Sequence, residues 1–142
     1  MTWLIRGFRP DDERAVIGLW QATGLTRPWN DPGKDIARKL RVQPELFVVG
    51  ELKGELIASA MAGYDGHRGS LYYLAVAPAH QRRGHARALL AEVEARLRAL
   101  GCPKLNLQVR ADNGELRAFY ERLGYQYEER LDFGKRFEHE QP

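Results

Sequence analysis

The fold is decided by the stretch Leu74-Ala75-Val76-Ala77-Pro78-Ala79-His80-Gln81-Arg82-Arg83-Gly84-His85-Ala86-Arg87. An apolar run of strand type ends at Pro78, and after Gly84 the apolar residues recur with the spacing of one helix face. Where a strand turns into a helix, the first backbone N–H groups of the helix have no carbonyl partner and point outward. Together with the helix dipole, these groups form a site that favours an anion.

Small and basic residues at this helix start suit a phosphate-bearing ligand. Gly84 removes the side chain that would block close approach of a phosphate, and Ala86 keeps the next turn small. Arg82, Arg83 and Arg87 add positive charge at the rim. A helix start with solvated arginines explains the spacing equally well, because the stretch matches neither a Walker loop nor the Gly-x-Gly-x-x-Gly pattern.

Outward from this stretch, hydrophobic periodicity predicts a succession of strands and helices. The predicted strands cover residues 3–8, 46–52, 55–63, 70–76, 105–109, about 127–131 and 133–137. Helices are predicted from Pro10 to Gly24, around Ile36 and Leu40, from Gly84 to Leu100, and from Asn113 to Gly124. Strand, helix and strand over residues 70–109 form a βαβ unit, whose two strands should be parallel. The sequence thus predicts an α/β (mixed α+β) fold in one domain over residues 1–142, with a mixed sheet of about seven strands and four helices on both faces.

Composition excludes several classes of protein. The 142 residues are 44% hydrophobic and 29% charged, as in an ordinary globular domain. A single cysteine, Cys102, cannot form a disulfide within the chain, which fits a reducing cytoplasm. No run approaches the ~20 apolar residues of a membrane span. The net charge of +3 is scattered, so it suits a small anionic ligand and is weak evidence for nucleic acid. We therefore expect a cytoplasmic protein that binds neither nucleic acid nor membrane.

Two motifs in register resemble those of the GNAT superfamily of N-acetyltransferases. Gln81 to Ala86 is similar to its Gln/Arg-x-x-Gly-x-Gly/Ala signature, and the element order agrees along nearly the whole chain. The family's second signature is Asn…Ala…Tyr…Gly-Phe/Tyr. It is similar to the residues Asn113, Ala118, Tyr120 and Gly124-Tyr125 of this chain. The strings Arg27-Pro-Trp-Asn-Asp-Pro and Gly63-Tyr-Asp-Gly-His-Arg-Gly resemble the YpeA-type subgroup of small bacterial acetyltransferases.

This resemblance implies a GNAT-like fold whose central parallel strands splay apart and bind acetyl-CoA. The amides of the loop would hold the coenzyme pyrophosphate, and the backbone of the preceding strand would pair with pantetheine and polarise the thioester carbonyl. Asn113 would bond pantetheine or order the next helix. The implied coenzyme-binding residues are Leu74, Ala75, Val76, Gln81, Arg82, Arg83, Gly84, His85, Ala86, Arg87, Asn113 and Tyr120.

The catalytic residues are implied less completely. Tyr120 matches the family's general acid, which protonates the departing thiolate, although a buried core tyrosine would show the same pattern. Many relatives take the proton of the amine with a glutamate on the central strands, but Leu71-Tyr72-Tyr73-Leu74 offers no carboxylate. His67 and Asp65 are the candidate bases, Glu51 is a further one, and water in a wet channel is the alternative.

The acceptor site should lie across the sheet from the coenzyme, under the loop between the first two helices. Its expected lining is Trp29, Asn30, Asp31 and Tyr64, although Trp29 could anchor the loop and Asp31 could cap a helix. The histidines do not cluster with metal-ligand spacing, so we expect no metal. A small amine, an antibiotic, an amino acid and a protein amine all remain open as acceptors, and so does a homodimer.

The expected activity is acetyl transfer from acetyl-CoA to an amine by direct attack in a ternary complex. The alternative is a non-catalytic module that binds or senses acyl-CoA, which the absence of a strand carboxylate favours. A protein that binds nucleic acid or another anion is a third reading, and it predicts binding that falls steeply with salt.

Overall fold

The computed structural model describes residues 2–139, which form one mixed sheet with helices on both faces. The five strands run in the order β1 to β5 across the sheet, and they are β1 Trp3–Gly7, β2 Phe47–Leu52, β3 Glu55–Tyr64, β4 Gly69–Val76 and β5 Leu105–Leu107. The four α-helices of the described residues are α1 Glu13–Ala22, α2 Pro32–Lys39, α3 His85–Ala99 and α4 Gly114–Arg122. Strand β4 pairs with β5 in parallel, and the other neighbours are antiparallel. The predicted βαβ unit is therefore confirmed as β4–α3–β5.

The sheet separates two hydrophobic cores. On one face, α1 and α2 pack on the sheet through Trp20 and Ile36, both fully buried. On the other face, α3 packs through Leu89, Leu90 and Val93, also buried, and Tyr120 of α4 joins this core. At about 25 cal/mol per Å² of apolar surface, these faces supply the main stabilisation of the fold. The same packing holds the ends of β4 and α3 in fixed positions.

The expectation of about seven strands is wrong, because the sheet has five. Residues 127–131 and 133–137, which were expected to be strands, have no regular structure. Their apolar side chains contact no core: Leu131, Phe133 and Phe137 are 85%, 93% and 91% exposed. Strand β5 is only three residues long, so its outer edge offers few groups for another strand to pair with.

None of the helices within residues 2–139 is long and apolar enough to cross a bilayer. Over the same residues, no three His, Cys, Asp or Glu side chains converge to hold a metal ion.

Candidate functional site

The candidate site begins where β4 and β5 separate. The two strands pair only at three positions, from Gly69 with Leu105 to Leu71 with Leu107. Strand β4 then continues to Val76, whereas β5 ends. Residues 72–76 therefore present a strand edge that no described strand covers on this side. Such an edge accepts an extended, amide-bearing ligand by backbone hydrogen bonds.

A β-bulge marks the point of separation. Tyr73 and Leu74 together oppose the single residue Ala60 on β3, and Tyr73 has a left-handed φ of 55°. A bulge bends the strand and increases its twist, which turns β4 away from β5. The left-handed conformation costs about 1 kcal/mol in a residue with a side chain.

Packing and hydrogen bonds hold Tyr73 in this conformation. The Trp20 ring stacks on the Tyr73 ring at 3.7 Å between centroids. The Ser59 hydroxyl donates to the Tyr73 carbonyl at 2.8 Å and accepts from Trp20 Nε1 at 2.9 Å. Ser59 is fully buried, so both bonds lie in a dry environment and fix the bulge to the core.

The start of α3 is the candidate anion site that the sequence predicted. Gly84 precedes the helix with a φ of 86°, and Arg82 has a φ of 65°. No side chain caps this helix start, so the backbone N–H groups of its first turn stay available. The Gln81 side chain donates to the Val76 carbonyl at 2.9 Å and ties the loop to the end of β4. The loop is therefore fixed to the end of the open strand edge.

The start of α4 lies next to this loop. Arg82 and Glu115 form an ion pair of 2.8 Å, although both side chains are about 80% exposed and the pair contributes little stability. Asn113 caps α4, because its Oδ1 accepts from the Leu116 N–H at 3.0 Å. Asn113 thus has the helix-ordering role that was one of the two expected for it.

Tyr120 lies on the buried face of α4, in the same core as Leu71 and Val76 of β4. Burial raises the pKa of Tyr120 to about 12, so its phenol stays protonated at neutral pH. Among residues 2–139 no protein group accepts a hydrogen bond from the Tyr120 hydroxyl, which is not one of the fully buried polar atoms that lack a partner, whereas the neighbouring Tyr125 hydroxyl donates to Glu94. Tyr120 is therefore a protonated donor without an assigned acceptor.

The expected acceptor residues divide into two groups. Asn30 lies beside the bulge of β4, because its Nδ2 donates to the Tyr73 hydroxyl at 3.0 Å. Asp31 is the N-cap of α2, accepting from the Gly33 N–H at 2.9 Å. Trp29 is about half exposed on the loop, and the Tyr64 backbone is held by Gln43.

The candidate bases lie at the opposite end of β4. Asp65 Oδ1 accepts from the backbone N–H groups of His67 and Arg68, both at 2.8 Å, and closes the turn between β3 and β4. The Arg68 and His67 N–H groups hold the pKa of the Asp65 carboxyl below its ordinary value. Four residues of strand separate Gly69 from Tyr73, or about 13 Å at 3.3 Å per residue. The structure thus does not bring His67 and Asp65 to the open edge of β4.

Sequence reasoning missed one carboxylate, Asp35 of α2. Its Oδ2 accepts from the Tyr73 hydroxyl at 2.7 Å and from Asn30 Nδ2 at 2.6 Å. It thereby brings a carboxylate to the central strand from a helix, whereas the candidate bases expected from the sequence lie on a strand and in a turn. The signal was the first turn of the helix after Asp31-Pro32, which places Asp35 one turn beyond the cap.

Known proteins resemble this chain in sequence and in fold. Residues 11–125 match the model of the Acetyltransferase (GNAT) family. A protein of Yersinia pestis (strain Pestoides F) named Acetyltransferase is 52% identical over 132 residues, which cover 93% of this chain and 94% of that protein.

Two solved structures show the same fold. One is the ribosomal-protein-S18-alanine N-acetyltransferase from Escherichia coli, with 28% identity, a TM-score of 0.72, and coverage of 87% of this chain and 77% of that one. The other is AAC(6')-Iy in complex with the bisubstrate analog CoA-S-monomethyl-acetylneamine, with 19% identity, a TM-score of 0.77, and coverage of 96% and 99%.

Proposed function

The chain belongs to the GNAT acetyltransferase family, and from this premise we propose that it transfers an acetyl group from acetyl-CoA to an amine. One observation carries the proposal. The open edge of β4 leads directly to the uncapped start of α3, so an extended amide chain and a pyrophosphate can be bound at once. This matches the chemistry of coenzyme A, which joins pantetheine to a pyrophosphate.

The residues of the α3 start fit the pyrophosphate. A Cβ added at Gly84 would meet no protein atom within 4 Å, so the space that glycine leaves open faces outward and is free for a ligand. We assign the pyrophosphate to the N–H groups from Gly84 to Arg87, with Arg82 and Arg83 supplying charge. The backbone of residues 74–76 would align pantetheine and donate to the thioester carbonyl.

The reaction follows from these positions. Acetyl-CoA supplies an activated acyl carbon, on which the amine nitrogen forms the new C–N bond as the C–S bond breaks. The ammonium must first lose a proton, and we assign that proton to water in the open groove, because His67 and Asp65 lie at the far turn. Tyr120, which is buried beside β4, would donate its phenolic proton to the departing thiolate, and the second proton that the acylated nitrogen loses would return to the phenolate through water.

Mass spectrometry of product formation tests this proposal. The purified chain is incubated with acetyl-CoA and a broad panel of amines, including amino acids, aminosugars, polyamines and peptides. We expect at least one acceptor to gain an acetyl group, with one coenzyme A released per acetyl group transferred. Tight binding of acetyl-CoA without transfer to any acceptor would instead support the non-catalytic binding module.

The domain that carries the reaction and its cellular compartment are part of this proposal. We place the whole activity in a single domain over residues 1–142 and in the cytoplasm, which the single cysteine supports. The strings at residues 27–32 and 63–69 support the YpeA-type subgroup.

A further inference from the structure

A small groove lies on the acceptor side of the sheet, between α2 and the β3–β4 hairpin. Its volume is about 240 Å³, just below the usual range of about 300 to 1,000 Å³ for sites that bind drug-sized molecules. One wall is polar and comes from α2, whereas the floor comes from the strands and is largely apolar. The lining includes Asp35, Lys39, Met61, Gly63 and Tyr72.

Asp35 provides the negative charge of this groove. Its Oδ2 accepts from Tyr73 and Asn30, and its Oδ1 accepts from Arg38 Nη2 at 2.9 Å. A carboxylate has about four acceptor positions, so one further donor can be bound. The Asp35 side chain is 23% exposed, which leaves it accessible from the groove. Its bond to Tyr73 places it beside the bulge where the edge of β4 opens.

Lys39 provides an opposite charge one turn further along α2. Its ammonium forms no ion pair with any residue in 2–139, and Glu45 acts on it only from beyond ion-pair distance. Burial lowers the pKa of Lys39, because the half-buried cation has lost part of its hydration. An anion bound at this position would offset that loss. The groove therefore presents a carboxylate and an uncompensated ammonium on one face of one helix.

We propose that the acceptor is a small zwitterionic amine, an α-amino acid or a close analogue, whose amino group binds Asp35 and whose carboxylate binds Lys39. The proposal rests on the acetyl transfer proposed above and names the substrate class of that site. Asp35 would hold the amino group next to Tyr73, and therefore next to the strand edge to which we assign pantetheine. The apolar floor and the small volume favour a compact side chain over a peptide.

Matched pairs of acceptors test this inference directly. Initial rates are measured with acetyl-CoA and a panel of L-α-amino acids, each paired with its amide, which keeps the amine and removes the carboxylate charge. We expect the wild type to prefer the acid. In Lys39→Met the acid-to-amide ratio of kcat/KM should fall at least about tenfold, since a charge-assisted bond is lost. Lys34→Met, an exposed lysine of the same helix, should keep the ratio.

Asp35→Asn tests the binding of the acceptor's amino group separately from the binding of its carboxylate. Because both acids and amides carry the amine, this variant should lower kcat/KM for both at least about tenfold and keep their ratio. A loss of fold would lower the melting temperature, which a thermal melt of each variant would reveal. Asp35→Glu should keep part of the rate that Asp35→Asn loses, because it retains the negative charge.

Three results would overturn the inference. The first is a wild type that acetylates amides as well as acids, and the second is an unchanged ratio in Lys39→Met. The third is transfer to polyamines, aminosugars or peptides but to no amino acid, which would leave the acetyl transfer intact. Transfer to no amine in either panel would reject the proposed function itself.

Discussion

At the scale of a single residue, the Tyr120 hydroxyl is the group whose removal is most informative. Tyr120→Phe should lower kcat at least about tenfold and leave the KM for acetyl-CoA within about twofold, because the bond to sulfur strengthens only as the thiolate leaves. The acid form is the active one, and the raised pKa of about 12 keeps it populated throughout the neutral range. Steady-state kinetics from pH 6 to 10 should therefore give a constant wild-type-to-variant ratio of kcat.

Tyr125→Phe is the matched control for that experiment. Its hydroxyl donates to Glu94, so this variant should lose stability but keep its kcat. If Tyr120→Phe and Tyr125→Phe behave alike, with kcat unchanged in both, Tyr120 is a core residue and not a proton donor.

The residues of the site differ in how far the sequence could predict them. The position of Gly84 just before α3 was predictable, since a helix start depends on local backbone geometry. The role of Asn113 as a cap is local for the same reason. The contact of Asp35 with Tyr73 was not predictable, because it forms only through the packing of α2 on the bulge of β4. A bulge of this kind has no clear sequence pattern in Tyr72-Tyr73.

At the scale of elements, a substitution of Gly84 at the start of α3 can distinguish the effect of backbone strain from the loss of contact with the ligand. Gly84→Ala should lower the free energy of unfolding by about 1 kcal/mol, because alanine is strained at a φ of 86°. Gly54→Ala, in the β2–β3 turn at a φ of 82°, has equally open surroundings and should cost the same. Isothermal titration should show weaker acetyl-CoA binding for Gly84→Ala only. Equal affinities in the two variants would contradict the assignment of the pyrophosphate to this turn.

A second element-level prediction concerns the bond between β1 and the start of α1. Arg6 donates to both Asp12 oxygens, at 2.7 and 2.9 Å, and holds the pKa of Asp12 below its ordinary value of 3.8. Its stabilisation is therefore present above about pH 4 and is lost as the pH falls through the lowered pKa. Asp12→Asn should cost about 1 to 3 kcal/mol at pH 7.

Urea unfolding at pH 7, 4 and 2.5 checks this pH dependence. The difference between wild type and Asp12→Asn should shrink as the pH falls. A difference that stays constant over this range would show that the ion pair contributes nothing specific to the carboxylate charge.

Among the elements, strong periodicity was a reliable guide and short apolar runs were not. Helix α3 was predicted to within a residue at each end, because one continuous apolar face fixes it. Residues 127–131 and 133–137 each have apolar residues only at their two ends, and a strand also needs a partner edge. That partner is a tertiary feature, and the three residues of β5 provide little of it.

At the scale of the whole molecule, the sheet packs tightly at Gly50 against the side chains that cover it. A Cβ at Gly50 would lie 2.4 Å from the Trp3 ring and 3.1 Å from Leu89 of α3. Gly50→Ala should therefore cost about 1 to 3 kcal/mol through overpacking. Gly7→Ala, on β1 with open space around it, is the control and should change stability little. Thermal melts that agree for the two variants would show that Trp3 moves aside freely.

The measurement that tests the central claim most directly is the thermal stability of the whole chain with acetyl-CoA, compared with ATP, at low and high salt. At 100 times its dissociation constant, a ligand of the folded state adds about 2.7 kcal/mol, which corresponds to several degrees for a chain of this size. We predict a shift with acetyl-CoA that persists in salt and exceeds the shift with ATP. No shift, or equal shifts that both vanish in salt, would mean that the start of α3 is a helix start beside solvated arginines and does not bind coenzyme A.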